Sequence, residues 1–301
     1  MRKLFLTSLL FGLAIVTPAR ADLSVFACEP EWGALVKEIG GDKVSIYTAT
    51  TGAQDPHQIQ ARPSLIAKAR AADITVCSGA ELEIGWLPMV EQQAANTKIL
   101  AGTSGAFEAA SFVQLLEIPA RLDRAEGDVH AAGNPHIQTD PRNVLQVAKP
   151  LSERFAELDT ANAAYYAQRY ADFAKRFGAA ITKWEAAAAP LKGAPVAVQH
   201  AGWIYMLNWL GLRQIVVLEP KPGVPASSGY LAQVLETIQR QPVKMVIRAA
   251  YQDERPSAFV AERAKVPAVS LPFTVGGTDE AKDLFSLYDD TITRLLAGIG
   301  Q

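Results

Sequence analysis

Short runs of Val, Ile and Leu alternate with helical patterns along most of this chain. Four such runs precede a long helical segment and four more follow it. Strands separated by helices indicate parallel sheets, because parallel neighbours need a crossover connection and a helix supplies it. The predicted fold class is therefore α/β, with two similar lobes that are each a roughly four-stranded parallel sheet flanked by helices.

The eight apolar runs give the expected strand positions. In the first lobe they are residues 23–28, 43–48, 74–79 and 97–102. In the second lobe they are residues 194–200, 214–220, 244–249 and 268–273. Helices are expected between them, including residues 29–40 and 80–93 in the first lobe.

One long amphipathic segment separates the two sets of strands. Phe173, Phe177, Ile181 and Trp184 recur at spacings of four, four and three, which is one apolar helix stripe. A helix of roughly 29 residues would be about 43 Å long and could link two lobes rigidly. An ordinary helix covering one lobe is the alternative.

The predicted organisation has four parts. They are a signal peptide (1–21), an N-terminal α/β lobe (22–158), a linking helix (159–190) and a C-terminal α/β lobe (191–301).

The N-terminus is typical of a secretory signal peptide. Arg2 and Lys3 precede an apolar run over residues 4–16, and a small-residue "ARA" ends at Ala21. The run is too short to span a bilayer as a stop-transfer helix. We expect cleavage near Ala21, export to the periplasm and no transmembrane segment in the remaining chain.

The charge balance makes nucleic acid a poor partner. Cleavage would leave 26 of the 29 basic side chains against 31 acidic ones and change the net charge from −2 to −5. A negative chain repels the phosphate backbone.

Three of the four histidines in the chain lie where strands are predicted to end. His57 and His136 follow strands of the first lobe, and His200 ends the first strand of the second lobe. Ligands of parallel sheets bind beyond the carboxyl ends of the strands. The sequence therefore predicts that the three imidazoles face one cleft between the lobes.

Asp279, in the glycine-containing stretch after the last predicted strand, is a candidate fourth ligand. It could alternatively cap the final helix. Imidazole nitrogens with one carboxylate suit tetrahedral Zn²⁺, whereas an oxygen-rich set would favour Mn²⁺ or Mg²⁺.

Three segments resemble the histidine blocks of the zinc/manganese solute-binding proteins of ABC importers. They are "DPHQIQARPSLIAKARAADITVCSGAELEIGWL" (55–87), "NPHIQTDPRNVLQVAKPLSERFAELD" (134–159) and "VQHAGWIYMLNWLGL" (198–212). The match extends over nearly the whole mature chain. The resemblance implies two lobes joined by one long helix, which agrees with the strand order.

The resemblance also implies a ligand set and partners. His57, His136 and His200 would bind the metal, with Asp279 as the acidic fourth ligand. Histidine at the third position is associated with zinc in that family, and glutamate with manganese. The implied partners are a membrane permease of an ABC importer and a periplasmic metal-delivering protein, with the chain itself a monomer.

The chain departs from the family pattern at several positions. After His57 it reads "QIQARPS" instead of Tyr-Glu-Pro, and the second block has Asn134 and Gln138 in place of Asp and Trp. The loop ahead of that block is reduced to "RAEGDVHAAG" (124–133). These differences leave the three histidines in place.

His130 lies in that shortened loop and has two interpretations. It could be an accessory residue that captures metal and passes it inward, with Asp128 nearby. It could also be a solvated loop histidine.

Cys28 and Cys77 occupy matching places at the ends of the first and third predicted strands. If these strands are neighbours, the separation of about 4.8 Å is within disulfide range, and an exported protein meets oxidising conditions. We expect a disulfide, with two buried thiols as the alternative. The absence of CxxC spacing argues against a cysteine zinc site.

The predicted function is a periplasmic receptor that captures Zn²⁺ and delivers it to an ABC-type permease, without enzymatic activity. The alternatives are a receptor for manganese or another divalent metal, and a zinc-dependent hydrolase. The hydrolase is disfavoured because the sequence contains no HExxH and no glutamate beside a ligand histidine. Asp55, close to His57, is interpreted as turn chemistry.

Overall fold

The computed structural model describes residues 22–119, 127 and 130–300. The predicted signal peptide and Asp128 lie outside the described residues. Within this described part, no helix combines the length and the apolar character needed to cross a membrane.

Two four-stranded parallel sheets form the two lobes. The first contains β1 (Leu23–Ala27), β2 (Val44–Thr48), β3 (Ile74–Cys77) and β4 (Ala106–Glu108), in the order β2-β1-β3-β4. The second contains β5 (Pro195–Val198), β6 (Arg213–Val217), β7 (Met245–Ala249) and β8 (Ala268–Leu271), in the order β6-β5-β7-β8. The strand order is the same in both lobes, and the predicted α/β fold class is confirmed.

Helices cover both sheets. Those of the first lobe are α1 (Pro30–Gly40), α2 (Pro63–Ala71), α3 (Leu87–Ala94) and α4 (Pro141–Leu158). Helix α5 (Ala163–Ala187) follows, and the second lobe carries α6 (Ile204–Leu210), α7 (Ser228–Arg240), α8 (Arg255–Ala264) and α9 (Leu284–Gly298). Proline stands in the first turn of α1 to α4, where its missing N–H costs no hydrogen bond.

Helix α5 joins the lobes. It packs against α1 and α4 of the first lobe and against α9 of the second. The predicted apolar stripe is buried along it, with Phe177 stacked on Phe173 and Trp184 in contact with Tyr288 of α9. Its 25 residues extend about 37 Å.

The fourth strand of the first lobe lies further along the chain than predicted. Residues 97–102 do not form a strand, and Thr97–Ile99 instead form a 3₁₀ helix ahead of β4. The reason is Asn96, whose side chain accepts a hydrogen bond from the Lys98 N–H and donates to the carbonyls of Ala69 and Ala72. These hydrogen bonds cap the 3₁₀ helix and compete with strand pairing. Ile99 is buried although it belongs to no strand.

The helix predicted over residues 80–93 begins only at Leu87. Gly79, Ala80 and Glu81 have φ values of 73°, 50° and 67°. Three consecutive left-handed residues cannot continue a right-handed helix. The segment before α3 is therefore a loop, residues 78–86, which we call the β3–α3 loop.

Cys28 and Cys77 form the predicted disulfide, with their Cα atoms 4.8 Å apart. Strands β1 and β3 are neighbours, and Ala27 pairs with Val76 in the ladder. The two cysteines that follow these residues therefore lie side by side.

Candidate metal centre

Three loops bring His57, His136 and His200 together. His57 lies between β2 and α2, His136 between β4 and α4, and His200 two residues after the end of β5. Their available ligand nitrogens all lie within 4.8 Å of one another. His136 and His200 are buried and His57 is half-buried. Both lobes thus contribute imidazoles to one point at the carboxyl ends of the strands, as predicted.

A carboxylate holds the ring of His57. Its Nδ1 is 2.9 Å from Oδ1 of Asp55, and its backbone N–H donates to the same oxygen at 3.0 Å. Burial opposes ionisation of Asp55, but the hydrogen bonds and charge of His57 outweigh it and lower the pKa of that carboxyl. The Nε2 atom of His57 is buried and has no hydrogen-bond partner among the described residues. A nitrogen in this state is suited to bind a metal.

His200 has the same arrangement with a residue from another strand end. Its Nδ1 is 2.8 Å from Oε2 of Glu219, which follows β6 and also accepts the Gly223 N–H at 3.0 Å. With Nδ1 engaged, Nε2 of His200 is the nitrogen left to coordinate.

His136 differs because no carboxylate holds it. Its Nδ1 is buried without a partner in the described part of the chain. Burial, reinforced by the charges of His57, His200 and His130, holds the pKa of His136 well below its usual value. The ring is therefore neutral at physiological pH, which is the state that a metal requires.

Asn134 connects the second and third histidine loops. Its Oδ1 accepts the His136 N–H at 3.1 Å, and its amide donates to the carbonyl of Ala201 at 2.8 Å and to Glu117 at 2.9 Å. Ala201 directly follows His200. An aspartate could not donate to that carbonyl, so the departure from the family pattern at this position has a structural role.

Asp279 is exposed, and the structure does not bring it into the group formed by the three histidines. The N-cap of α9 is Asp283, whose side chain accepts the Ser286 N–H at 2.8 Å, so the capping alternative for Asp279 is wrong. Its assignment as a fourth ligand stays a prediction.

His130 lies at the edge of the centre. Its ring stacks on His57 with the centroids 5.4 Å apart. A cavity of about 170 Å³ is bordered by His130, His136, His200 and Glu117.

Sequence reasoning missed Glu219 and a group of buried glutamates. Glu219 ends an apolar run at the same sheet edge as His200, which is a usable signal. The buried glutamates are Glu29, Glu31 and Glu83. Glu83 also lies beside Cys28 and Cys77, but these cysteines are bonded to each other and offer no thiolate.

Each lobe contains one parallel sheet, a helix connects the lobes, and three histidines meet between them. These features define a two-lobed binding protein with a candidate metal site. The family described as "Zinc-uptake complex component A periplasmic" (ZnuA) matches residues 25–298, and the chain belongs to this family.

Two streptococcal substrate-binding lipoproteins are similar to this chain in sequence. The manganese ABC transporter substrate-binding lipoprotein PsaA of Streptococcus pneumoniae is 20% identical over 292 residues, which cover 93% of this chain and 91% of the relative. The metal ABC transporter substrate-binding lipoprotein SloC of Streptococcus mutans is 21% identical over 300 residues, which cover 97% and 95%.

Two solved structures show the same fold. A crystal structure of ZnuA has a TM-score of 0.76 at 21% identity and covers 92% of this chain and 99% of its own. FpvC from Pseudomonas aeruginosa, in complex with Mn²⁺, has a TM-score of 0.77 at 20% identity and covers 92% and 98%.

The chain is therefore a metal-binding substrate receptor of an ABC transporter and not an enzyme. The hydrolase alternative is wrong. The family is described as a periplasmic component of a zinc-uptake complex, and PsaA is described as a substrate-binding lipoprotein of an ABC transporter.

Proposed function

We propose that this protein binds Zn²⁺ through His57, His136 and His200 in the periplasm and delivers it to the membrane permease of an ABC importer. The observation that carries the proposal is the meeting of three imidazoles from both lobes within 4.8 Å. A metal bound there would bridge the lobes, because His200 is the ligand from the second one.

The donor set favours zinc over manganese. All three ligands are nitrogens, and zinc accepts three imidazoles readily, whereas manganese prefers carboxylates and water. The carboxylates of Asp55 and Glu219 are engaged by Nδ1 atoms of the histidines. They orient the rings and raise their basicity, as carboxylates do behind zinc ligands. PsaA of Streptococcus pneumoniae is named for manganese, which makes Mn²⁺ the competing metal to test.

The fourth position is assigned to water or to Asp279. Water can complete a zinc site with three protein ligands. Asp279 would need a movement of the β8–α9 loop to reach the metal, since its side chain is exposed.

His130, stacked on His57, is proposed to capture the incoming metal and pass it to the buried site.

The organisation of the mature chain is part of the proposal. The lobes comprise residues 22–158 and 191–301, the connector comprises residues 159–190, and the mature protein begins after cleavage near Ala21 and is a monomer. Mass spectrometry of the exported protein and light scattering would test the last two statements. A start elsewhere, or a dimer, would contradict them.

Competition between metals tests the zinc assignment. Metal-free protein is titrated with Zn²⁺ and with Mn²⁺, each against a chelator of known affinity, and the metal content of protein from periplasmic extracts is measured. We expect one zinc ion per chain and tighter binding of zinc than of manganese. Tighter binding of manganese would overturn the choice of metal, and binding of neither would overturn the site.

A further inference from the structure

Two glutamates outside the histidine centre lie buried against each other at the ends of β1 and β3. Glu29 is 2% exposed and Glu83 is 3% exposed. Both accept the Ser78 N–H, Glu83 at 2.7 Å and Glu29 at 3.3 Å. Two carboxyl groups that share one N–H donor are in close contact.

The two carboxyl groups have different surroundings. Glu83 also accepts the Gly79 N–H at 3.1 Å, so backbone donors contact both of its oxygens. Glu29 accepts the Ser78 hydroxyl at 3.3 Å through Oε2, while its Oε1 is buried with no hydrogen-bond partner in the described part of the chain. Backbone donors therefore stabilise Glu83 as a carboxylate, whereas one oxygen of Glu29 has no donor to stabilise a negative charge.

Among the described residues, the charged groups that neighbour Glu29 and Glu83 are acidic. Within the described residues, neither Glu29 nor Glu83 forms an ion pair, and the neighbouring charged groups are Glu31 on α1 and Glu108, whose side chain lies against Gly79. Two buried carboxylates in contact cannot both ionise without a cation. Burial, followed by the charges of Glu83 and Glu31, raises the pKa of Glu29 well above its usual value, and burial raises that of Glu83 to about 7.

We propose that Glu29 and Glu83 bind one shared proton at neutral pH, with Glu29 as the acid that donates to the Glu83 carboxylate, and that this pair positions the β3–α3 loop.

That loop contacts two of the histidine loops. Trp86 Nε1 donates to the carbonyl of Pro56, next to His57, at 2.9 Å. Glu81 accepts the Ala131 N–H, next to His130, at 2.6 Å. Ala80 and Glu81 have left-handed backbone conformations that are unfavourable for residues with a Cβ atom. Hydrogen bonds from Ser78 and Gly79 to Glu83 help to stabilise this conformation.

Infrared spectroscopy tests the proton directly in metal-free protein at pH 7.5. A protonated carboxyl group has a C=O stretch separate from the carboxylate bands. We expect this band in the wild-type protein and in the exposed-site control Glu236→Gln, and a weaker band in Glu29→Gln, whose amide keeps a donor to Glu83. Glu31, whose pKa is raised to about 7 by burial, contributes the remaining intensity. An unchanged band in Glu29→Gln would overturn the proposal.

The pH dependence of unfolding gives a second test. The folded protein holds the Glu29 proton more tightly than the unfolded chain, so the wild type loses stability as pH rises above about 4.3, the unfolded value. Glu29→Gln lacks this loss. Its folding equilibrium constant should rise relative to wild type by about tenfold per pH unit until the folded pKa is reached. Parallel pH profiles for Glu29→Gln and wild type would contradict the shared proton.

The role of the Glu29–Glu83 pair in positioning the β3–α3 loop for metal binding rests on the proposed function. Metal affinity is the measurement that tests it. Glu29→Leu removes the donor, and we expect metal affinity about tenfold weaker, with near wild-type affinity in Glu29→Gln. Glu81→Ala, at an exposed position, tests the same connection if Glu29→Leu does not fold. Unchanged affinity in the folded variants would overturn the positioning role. If His136→Ala also leaves the affinity unchanged, the proposed function has failed instead.

Discussion

The three histidines are held in two different ways. His57 and His200 each have a carboxylate on Nδ1, whereas His136 is fixed by burial and by the hydrogen bond from its backbone N–H to Asn134. A carboxylate behind an imidazole fixes the ring and its tautomer. Substitutions at the two types of residue should therefore have different effects.

Alanine substitutions of His136, His130 and Asp279 should change the zinc affinity by different amounts. His136→Ala removes one of three imidazoles and should weaken zinc binding by several kcal/mol, while His130→Ala should leave the equilibrium affinity close to wild type. Asp279→Ala should fall between them if it is a ligand and match wild type if water is. Chelator competition measures all three. Equal losses for His136 and His130 would show that the ligand set is wrong.

His130 is expected to affect the rate of zinc uptake and not the equilibrium affinity. A stopped-flow comparison of zinc uptake by wild type and His130→Ala should show slower capture by the variant. Identical uptake rates would support a plain loop histidine.

Glu219 provides the test of orientation at His200. Glu219→Ala removes the acceptor of Nδ1 and should reduce zinc affinity by roughly 10- to 100-fold. Glu236→Ala, an exposed glutamate on α7, is the control and should bind as wild type does. Isothermal titration against a competing chelator gives the ratio, and a Glu219 variant with full affinity would show that the hydrogen bond is dispensable.

His57 and His200 could be placed from sequence because each follows a strand with a clear apolar pattern. His136 was expected after residues 97–102, which form no strand, and it lies instead in the segment between β4 and α4. Glu219 follows such a strand as well, but a single glutamate at a strand end is usually solvated. The contact between Glu29 and Glu83 could not be predicted, since it depends on which strands are neighbours.

At the level of elements, seven of the eight strands were placed correctly from their apolar runs, and β4 was not. Strand β4 has only three residues, and the longer apolar run before it is occupied by a capped 3₁₀ helix. The start of α3 was missed because the left-handed conformations of Ala80 and Glu81 leave no sequence signal. Local side-chain hydrogen bonds and strained turns outweighed periodicity at both places.

The disulfide joins elements β1 and β3, and its removal should affect stability more than binding. It closes a loop with a sequence separation of 49 residues, for which chain entropy gives about 4 kcal/mol. Reduction should therefore lower the melting temperature while zinc binding remains. Calorimetry with and without reductant measures the shift. Detection of two free thiols in unfolded, unreduced protein would rule out the bond.

At the level of the whole molecule, the two lobes share one continuous hydrophobic core. That core includes Phe173, Phe177 and Trp184 of α5 together with residues of both sheets. A second contact between the lobes lies at the β8–α9 loop, where Thr274 donates to the buried Glu31 of α1. The lobes are therefore linked both through the core along α5 and through this loop contact.

Gly52 of the first lobe lies against Gly276 of the β8–α9 loop. A substitution at Gly52 tests whether contact with this loop affects metal binding. A Cβ atom on Gly52 would lie 2.3 Å from the carbonyl carbon of Gly276. Gly52→Ala should push the lobes apart and weaken metal binding. Gly178→Ala on α5, where a Cβ meets nothing within 4 Å, is the matched control and should bind normally. Equal affinities in the two variants would show that the contact does not control the site.

The central claim is that one metal ion is held by His57, His136 and His200 from both lobes. X-ray absorption spectroscopy of the protein loaded with one equivalent of zinc tests it most directly. The expected result is three imidazole nitrogens at about 2.0–2.1 Å with one further light-atom ligand, and loss of one imidazole contribution in His136→Ala. Coordination by oxygen alone, or an unchanged spectrum in His136→Ala, would contradict the claim.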